Sequence, residues 1–262
     1  MHFPIYQVDA FTDKLFAGNP AAVVLCGDTE LAAAVMQSIA AENNLAETAY
    51  VSGELDNLAI RWFTPTVEVD LCGHATLAAA HVLYELHGDD IGALAFASRS
   101  GPLYVRKADG LLWLDFPADR ITPETQSRDL LGAALGQAPL EVYRGRDDIL
   151  AILADEHAVA TLQPDFGRIA QLPCRGVIVS ARGANAAFVS RFFAPQSGVA
   201  EDPVTGSAHT TLTPYWSGRL GLKEMDALQL SQRGGALRCV DLGDRVHIGG
   251  HAVTYLRGEI TL

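Results

Sequence analysis

The sequence predicts an α+β protein with two similar half-domains, each a curved mixed or antiparallel sheet wrapped around a central buried helix. Three observations predict this fold: an internal repeat, many short segments with the apolar pattern of strands, and one helix that has no polar face. We expect the halves at residues 1–118 and 119–262, with the last C-terminal strand as a candidate to complete the first half.

The repeat relates two segments of the chain. RWFTP at 61–65 is echoed by RFFAP at 191–195, an offset of 191 − 61 = 130. Each copy is followed by acidic residues, then by a glycine, Gly73 or Gly206, and then by a run of small residues. A shared five-residue pattern alone could be chance, but the shared continuation favours a duplication.

The first half contains alternating apolar segments that predict strands, and two helices. A helix is expected to start from a cap at Asp28 or Thr29 and to end at Asn43-Asn44. A second helix is expected from His74 to Leu86. The strands are expected at 5–11, 21–25, 48–52, 58–63, 93–97, 103–106 and 111–116.

The second half is expected to begin with a helix opened by Thr122-Pro123, because proline fits the first turn of a helix. Pro214 lies inside the second small-residue helix, where it should remove one backbone hydrogen bond. Helices are expected at 156–162, 166–171 and 207–219, and strands at 140–143, 149–153, 176–180, 187–193 and, as short pieces, within 228–262.

The helix that follows Gly73 indicates how the first half is built. Residues 75–83 contain no charged side chain and many alanines, so the helix offers no face to water. Such a helix is buried on all sides. In a half rich in strands, the simplest way to bury it is to wrap a curved sheet around it.

Composition excludes several kinds of partner. Nineteen basic and 31 acidic residues give a net charge of −12, which argues against nucleic acid and anionic membrane surfaces. The charge is uneven, at −10 for residues 1–118 and −2 for 119–262. This difference has two explanations. Either the two halves simply carry different surface charges, or the arginines of the second half have a function.

The spacing of the cysteines bears on metal binding, and the N-terminal sequence bears on the location of the protein in the cell. The four cysteines are far apart and form no close pair, so we expect no metal site. The N-terminal segment resembles a strand rather than a signal peptide, and no stretch is apolar enough to span a membrane. We therefore expect a cytoplasmic protein.

Both small-residue helices begin at a glycine, at Gly73-His74 and at Gly206-Ser207. The first N–H groups of a helix are unpaired and carry partial positive charge, and glycine lets an anion approach them closely. If the halves pair about a pseudo-twofold axis, the two helix starts would form a carboxylate or phosphate site. The alternative is two tight strand-to-helix turns without a ligand.

Six motifs in this chain resemble the PhzF-like phenazine-biosynthesis isomerase family. They are GNPAAVV (18–24), NLAETAYV (44–51), RWFTP, DLCGHAT (70–76), RFFAP and EDPVTGSAH (201–209). The resemblance implies a diaminopimelate epimerase-like fold with the active site between its halves. It also implies a homodimer that uses no organic cofactor.

The resemblance implies roles for individual residues. The family's acid/base glutamate corresponds to Glu47, and three further catalytic residues correspond to His74, Asp202 and Ser207. In the phenazine enzyme such groups move a proton across a cyclohexadiene acid without redox change. The substrate-binding candidates are Gly73, Gly206, Asn19, Cys72 and Thr205.

Each catalytic candidate also has a purely structural explanation. Glu47 could be a solvated residue at a strand edge, and His74 or Ser207 could simply begin a helix. Asp202 precedes a proline and could form a turn. It is their joint occurrence in the motifs that favours catalysis.

The related racemases place one cysteine at the start of each central helix. Here Cys72 fills the first position, whereas Pro203 or a neighbour fills the second, so a two-thiol racemase is not expected. Cys72 either reacts or is a small buried residue, and we favour the latter.

We therefore predict a cofactor-independent isomerase that moves a proton on a small carboxylic acid, with Glu47 as the acid/base. Two alternatives stay open. One is a catalytically silent metabolite-binding or interaction protein of the same fold. The other is an amino-acid racemase or epimerase in which Glu47 replaces a thiol.

Overall fold

The computed structural model describes all 262 residues and divides them into two compact units. The first unit consists of Met1–Asp115 and Gly249–Leu262, and the second is Phe116–Ile248. The C-terminal segment belongs to the first unit because its long strand pairs with the first strand of the chain. No helix combines the length and the apolar character that crossing a bilayer requires.

The first unit contains nine strands and two α-helices. Its strands are β1 (His2–Ala10), β2 (Asn19–Gly27), β3 (Glu47–Ser52), β4 (Leu58–Phe63), β5 (Glu68–Val69), β6 (Leu94–Ala97), β7 (Leu103–Ala108), β8 (Leu111–Pro117) and β18 (Ala252–Thr261), and its helices are α1 (Ala33–Asn43) and α2 (Gly73–His87). The last two residues of β8 cross into the second unit.

The second unit contains eight strands of its own and four α-helices. Its strands are β9 (Thr122–Pro123), β10 (Glu141–Arg144), β11 (Asp148–Ile152), β12 (Gly176–Arg182), β13 (Phe188–Ala194), β14 (Val199–Asp202), β15 (Glu224–Gln229) and β16 (Gly235–Asp241), and its helices are α3 (Arg128–Leu135), α4 (Glu156–Ala160), α5 (Phe166–Ile169) and α6 (Gly206–Leu220). Strand β17 (Arg245–Gly250) spans the boundary between the units.

The two units share one pairing scheme. In the first, β1 and β2 are antiparallel, β2 and β3 parallel, β3 and β4 antiparallel, and β4 continues in parallel to β6. In the second, β10 to β13 and β15 repeat these four relationships in the same order. The duplicated sequence therefore corresponds to a duplicated mixed sheet.

The repeated motif has the same side-chain geometry in both units. Nε of Arg61 lies 2.7 Å from Oε1 of Glu68, and Nε of Arg191 lies 2.7 Å from Oε1 of Glu201. Each guanidinium also lies over the phenylalanine two residues on, at 5.2 and 5.0 Å from the ring centre. Arg191 is the more buried arginine and donates further hydrogen bonds to the carbonyls of residues 159 and 162.

Helix α2 is the centre of the first unit. Ten of its fifteen residues are buried, from His74 to Tyr84, and it packs against β1, β2, β3, β7 and β18. A helix contacted by this many strands has no face left for water, as the uncharged stretch 75–83 predicts. The predicted α+β fold, with a mixed sheet around a central helix, is confirmed.

Two predicted helix starts are wrong. Helix α1 begins at Ala33 rather than after a cap at Asp28 or Thr29, because its N-cap residue Ala32 is still extended and the preceding Leu31 is buried in the core. Thr122-Pro123 forms the short strand β9, paired with β10, and the helix that follows begins only at Arg128. Pairing with β10 holds this segment extended, which a local proline preference does not reveal.

The equivalent arginines of the two repeats should differ in their contribution to stability. We expect Arg191→Ala to lower the free energy of unfolding by about 3 kcal/mol, because it leaves buried carbonyls and a carboxylate without donors. Arg61→Ala should cost about 1 kcal/mol, since Glu68 retains Arg99 at 2.9 Å. Urea unfolding of both variants checks this, and equal losses would contradict it.

A buried histidine should make stability depend on pH. His209 in α6 is fully buried, and burial lowers its pKa to about 4. The unfolded chain binds this proton below pH about 6.5, whereas the folded chain does not until about 4. The free energy of unfolding should therefore fall by roughly 3 kcal/mol as the pH drops through this window.

Unfolding measured between pH 7 and 4 in the wild type and in His209→Gln isolates this contribution. Glutamine cannot titrate but can still donate a hydrogen bond to the Thr205 carbonyl, which lies 2.8 Å from Nδ1 of His209. The variant should show a clearly shallower pH slope. Identical slopes would show that His209 is not the group responsible.

Candidate active site

Glu47 is the first residue of β3, where the chain enters the sheet of the first unit. The parallel pairing of β2 with β3 sets Glu47 opposite Ala21. Its side chain is 17% exposed, so the carboxylate is largely withdrawn from water. The sheet register therefore fixes the carboxylate close to the start of β2.

His74 and Cys72 lie at the start of helix α2. Nε2 of His74 lies 3.1 Å from Oε2 of Glu47, and Nδ1 of the same ring lies 3.5 Å from Sγ of Cys72. Cys72 is the N-cap residue, in an extended conformation, and its side chain does not cap the helix. A thiol, an imidazole and a carboxylate thus form one line of contacts within the first unit.

Asn19, the first residue of β2, holds the histidine ring from the other side. Its side-chain amide lies 3.2 Å from Nδ1 of His74. The preceding Gly18 has φ +64°, and a side chain there would bring Cβ to 2.2 Å from the Ala10 carbonyl oxygen. Only glycine fits, which explains the Gly-Asn pair of this motif.

The charges in this cluster affect one another. Burial lowers the pKa of His74, but the adjacent Cys72 and Glu47 raise it, and the net pKa lies well above its ordinary value. Burial and the Glu47 carboxylate raise the pKa of the Cys72 thiol. The pKa values of the imidazole and of the thiol are therefore coupled, and the neighbours of His74 favour its protonated form.

Two atoms of this cluster are left without a hydrogen bond. Oε2 of Glu47 and Nε2 of His74 are buried, and although they lie 3.1 Å apart neither forms a hydrogen bond of good geometry. Buried polar atoms are rarely left in this state, because it costs roughly 1–3 kcal/mol for each group. The pair is therefore positioned to interact with a third group.

The predicted residues of the second unit surround the start of helix α6. Asp202 ends β14, and its Oδ2 accepts a hydrogen bond from Oγ1 of Thr205 at 2.5 Å. The buried side chain of Gln229 accepts from the Thr205 amide at 2.9 Å and donates to the Asp202 carbonyl at 2.8 Å. Gln229 therefore sets the shape of the turn that leads into α6.

Ser207 belongs to an ordered polar group in the same unit. Its Oγ accepts a hydrogen bond from Nη2 of Arg175 at 3.0 Å. Arg175 also forms a two-contact ion pair with the buried Asp148, and its guanidinium lies 5.5 Å from the centre of the Phe192 ring. The hydroxyl and a fixed cation therefore stand side by side.

The structure identifies the residue that corresponds to Cys72 in the second unit. Thr205 is the N-cap of α6 directly before Gly206, as Cys72 is the N-cap of α2 directly before Gly73. Neither N-cap side chain bonds to its helix. A hydroxyl at Thr205, two residues after Pro203, thus occupies the position that the Cys72 thiol has in the first unit.

The structure brings the predicted residues together in two groups, one in each unit. The first contains Glu47, His74, Cys72, Asn19 and Gly73, and the second contains Asp202, Thr205, Gly206 and Ser207.

Sequence reasoning missed Gln229, Arg175 and Asp148. None of the three lies in a quoted motif or has a diagnostic spacing. Asp148 lies within the mixed-charge run RGRDD, which gives no sign that one of its members is buried.

Comparison with known proteins shows what the chain resembles. A family model described as "Phenazine biosynthesis-like protein" matches residues 8–258. An uncharacterized isomerase of Pseudomonas aeruginosa is 53% identical over 262 residues, which is 100% of both chains. The crystal structure of a PhzF-family phenazine biosynthesis protein from Enterococcus faecalis covers 100% of both chains, with 46% identity and a TM-score of 0.94.

A more distant structure shows how far the fold extends. A hydroxyproline epimerase from Agrobacterium vitis superimposes with a TM-score of 0.58 at 11% identity, over 99% of this chain and 91% of its own. At that identity the likeness concerns the fold alone. The family resemblance drawn from the six motifs is confirmed: the chain belongs to the PhzC-PhzF family of phenazine biosynthesis-like proteins.

Proposed function

We propose that this protein is an isomerase that moves a proton between carbon atoms of a small carboxylic acid, without an organic cofactor. Glu47 is the acid/base group, and His74 is its partner. The observation that carries the proposal is the 3.1 Å distance between two buried atoms, Oε2 of Glu47 at the start of β3 and Nε2 of His74 at the start of helix α2. The relatives in Pseudomonas aeruginosa that are named isomerases support the reaction class.

The reaction needs one carboxylate that accepts a proton and then returns it. Glu47 takes the proton from a substrate carbon, and the electron pair of the broken C–H bond is delocalised over the conjugated acid. The carboxylic acid of Glu47 then delivers the proton to a second carbon and becomes a carboxylate again. No electron is gained or lost, so no redox partner is required.

His74 supports this cycle through charge and position. With its pKa raised, the imidazolium stabilises the carboxylate form of Glu47 between turnovers. Asn19 holds the ring from the Nδ1 side, which keeps Nε2 directed toward Glu47. Buried and held on both sides, the ring loses little freedom when the substrate binds.

Recognition of the carboxylate is assigned to the helix starts. The uncapped N–H groups at Gly73 and Gly206 are suited to an anion, and Ser207 offers a hydroxyl beside the second of them. We propose that Asp202 assists proton transfer, with its carboxylate oriented by Thr205. The partial positive charge at the helix starts allows the protein to bind an anionic substrate despite its net charge of −12.

Replacing the proposed base should stop proton transfer. In heavy water, the wild-type protein should exchange a C–H proton of a bound cyclic or amino acid, as measured by NMR or mass spectrometry across a panel of acids. Glu47→Gln keeps the size of the side chain but cannot accept the proton. The exchange rate should fall by at least about 100-fold.

The matched control is Glu54→Gln, the same chemical change at an exposed residue of the β3–β4 connection. It should exchange as fast as the wild type. Exchange that survives Glu47→Gln would remove Glu47 as the base. Exchange at an α carbon with loss of optical activity would point to a racemase, and no exchange across the panel would point to a binding protein.

A further inference from the structure

Three side chains of the first unit have the chemistry of metal ligands. Glu47 offers a carboxylate oxygen, Cys72 a sulfur and His74 a ring nitrogen, and one ligand atom from each lies within 4.8 Å of the other two. We propose that these residues form a zinc-binding site, and that bound Zn²⁺ excludes the proton chemistry of Glu47.

The distances are close to those that a zinc ion requires. Zn–S bonds of about 2.3 Å and Zn–N or Zn–O bonds of about 2.0 Å place tetrahedral ligands roughly 3.3–3.8 Å apart. The 3.1 Å between Oε2 of Glu47 and Nε2 of His74 is slightly shorter than this range. Sγ of Cys72 contacts the other ring nitrogen, Nδ1, at 3.5 Å. Because one ion binds only one nitrogen of the ring, closing the set on Nε2 requires Cys72 to rotate its sulfur toward that nitrogen, within a cluster whose ligand atoms already lie within 4.8 Å of one another.

Burial makes this cluster different from an acidic surface patch. Cys72 and His74 are 7% and 5% exposed. The buried atoms Oε2 of Glu47 and Nε2 of His74 have no hydrogen-bond partner, although a carboxylate oxygen and an imidazole nitrogen are both good zinc ligands. The cluster therefore already contains desolvated and unsatisfied ligand atoms, and a cation would satisfy them.

The ligand set also determines which metal fits. A thiolate, an imidazole and a carboxylate together favour Zn²⁺ and chemically similar ions such as Co²⁺ over Mg²⁺ or Ca²⁺. Zinc displaces the thiol proton to solvent, and the two negative ligands then balance the charge of the ion. Three protein ligands leave a fourth position for water, as in open zinc sites.

Asn19 completes the environment of the site. Its amide lies 3.2 Å from Nδ1 of His74. The contact is made by the amide nitrogen Nδ2, so when Nε2 binds the metal and Nδ1 carries the proton, the Asn19 amide must turn over to present its oxygen as the acceptor. Such outer contacts fix the orientation of a metal-binding histidine.

The same atoms cannot serve both purposes at once. The oxygen of Glu47 that would accept the substrate proton would be bound to the metal, and the positive charge would suppress its basicity. The metal-binding part of the proposal stands on geometry alone, whereas the inhibitory part rests on the proposed function. Zinc is therefore expected to act as a reversible inhibitor and not as a cofactor.

Metal titration of the full chain tests binding without any substrate. Isothermal titration with ZnCl₂ should show one ion per chain, and MgCl₂ should show none. With CoCl₂, a sulfur-to-cobalt charge-transfer absorption should appear. Cys72→Ser should abolish this absorption and weaken zinc binding by at least about 100-fold, because outer-shell contacts alone are worth about 10–100-fold.

The matched control is Cys174→Ser, since Cys174 is a half-buried thiol of the second unit. It should leave both signals unchanged. Glu47→Gln, at a partly exposed position, should weaken zinc binding and provides a second test if Cys72→Ser does not fold. Failure of the wild type to bind micromolar zinc, or unchanged binding in the ligand variants, would overturn the proposal.

Proton exchange separates this inference from the proposed function. Zinc should suppress the exchange catalysed by the wild type, and a chelator should restore it. If zinc binds as expected but the metal-free protein exchanges no proton, the proposed isomerase fails and the metal site stands. Exchange that continues unchanged with zinc bound would overturn the inhibitory part.

Discussion

The burial of helix α2 is the constraint on which the rest of the first unit depends. Because ten of its fifteen residues are buried, strands must cover it on several sides, and β1, β2, β3, β7 and β18 do so. A helix enclosed in this way cannot shift along its axis without disturbing every strand. The start of the helix is therefore fixed in position, and it holds Cys72 and His74 next to Glu47.

The duplication gave two equivalent frameworks that carry different chemistry. Both units keep the same strand pairings, the same Arg–Glu pair and an uncapped helix that starts at glycine. At the start of that helix, one unit has a thiol and an imidazole, whereas the other has hydroxyls and an arginine held by Asp148. The shared framework supplies positions, and the residues at a few of those positions determine what each half can do.

Features of the structure that depend on a local sequence pattern were predicted well from the sequence. Features that depend on contacts between distant residues were predicted poorly. The uncharged stretch 75–83 predicted a buried helix, because its burial is visible in the stretch itself. The start of α1 was misplaced because Leu31 is buried in the core and Ala32 is still extended, which the local cap residues do not reveal. Gln229 was missed because its partners are more than twenty residues away, and a buried glutamine has no local signature. The contact of Glu47 with His74 likewise has no local signature, since the two residues come together only through the sheet.

The pairing of β1 with β18 has a consequence for how the chain acquires its structure. Residues 2–10 pair with residues 252–261, so the sheet of the first unit incorporates strands from opposite ends of the sequence. During synthesis on the ribosome, the second unit emerges complete while the first still lacks an edge partner for β1. The half made first is thus completed last, and until then β1 exposes an unpaired edge that a chaperone or another nascent chain could contact.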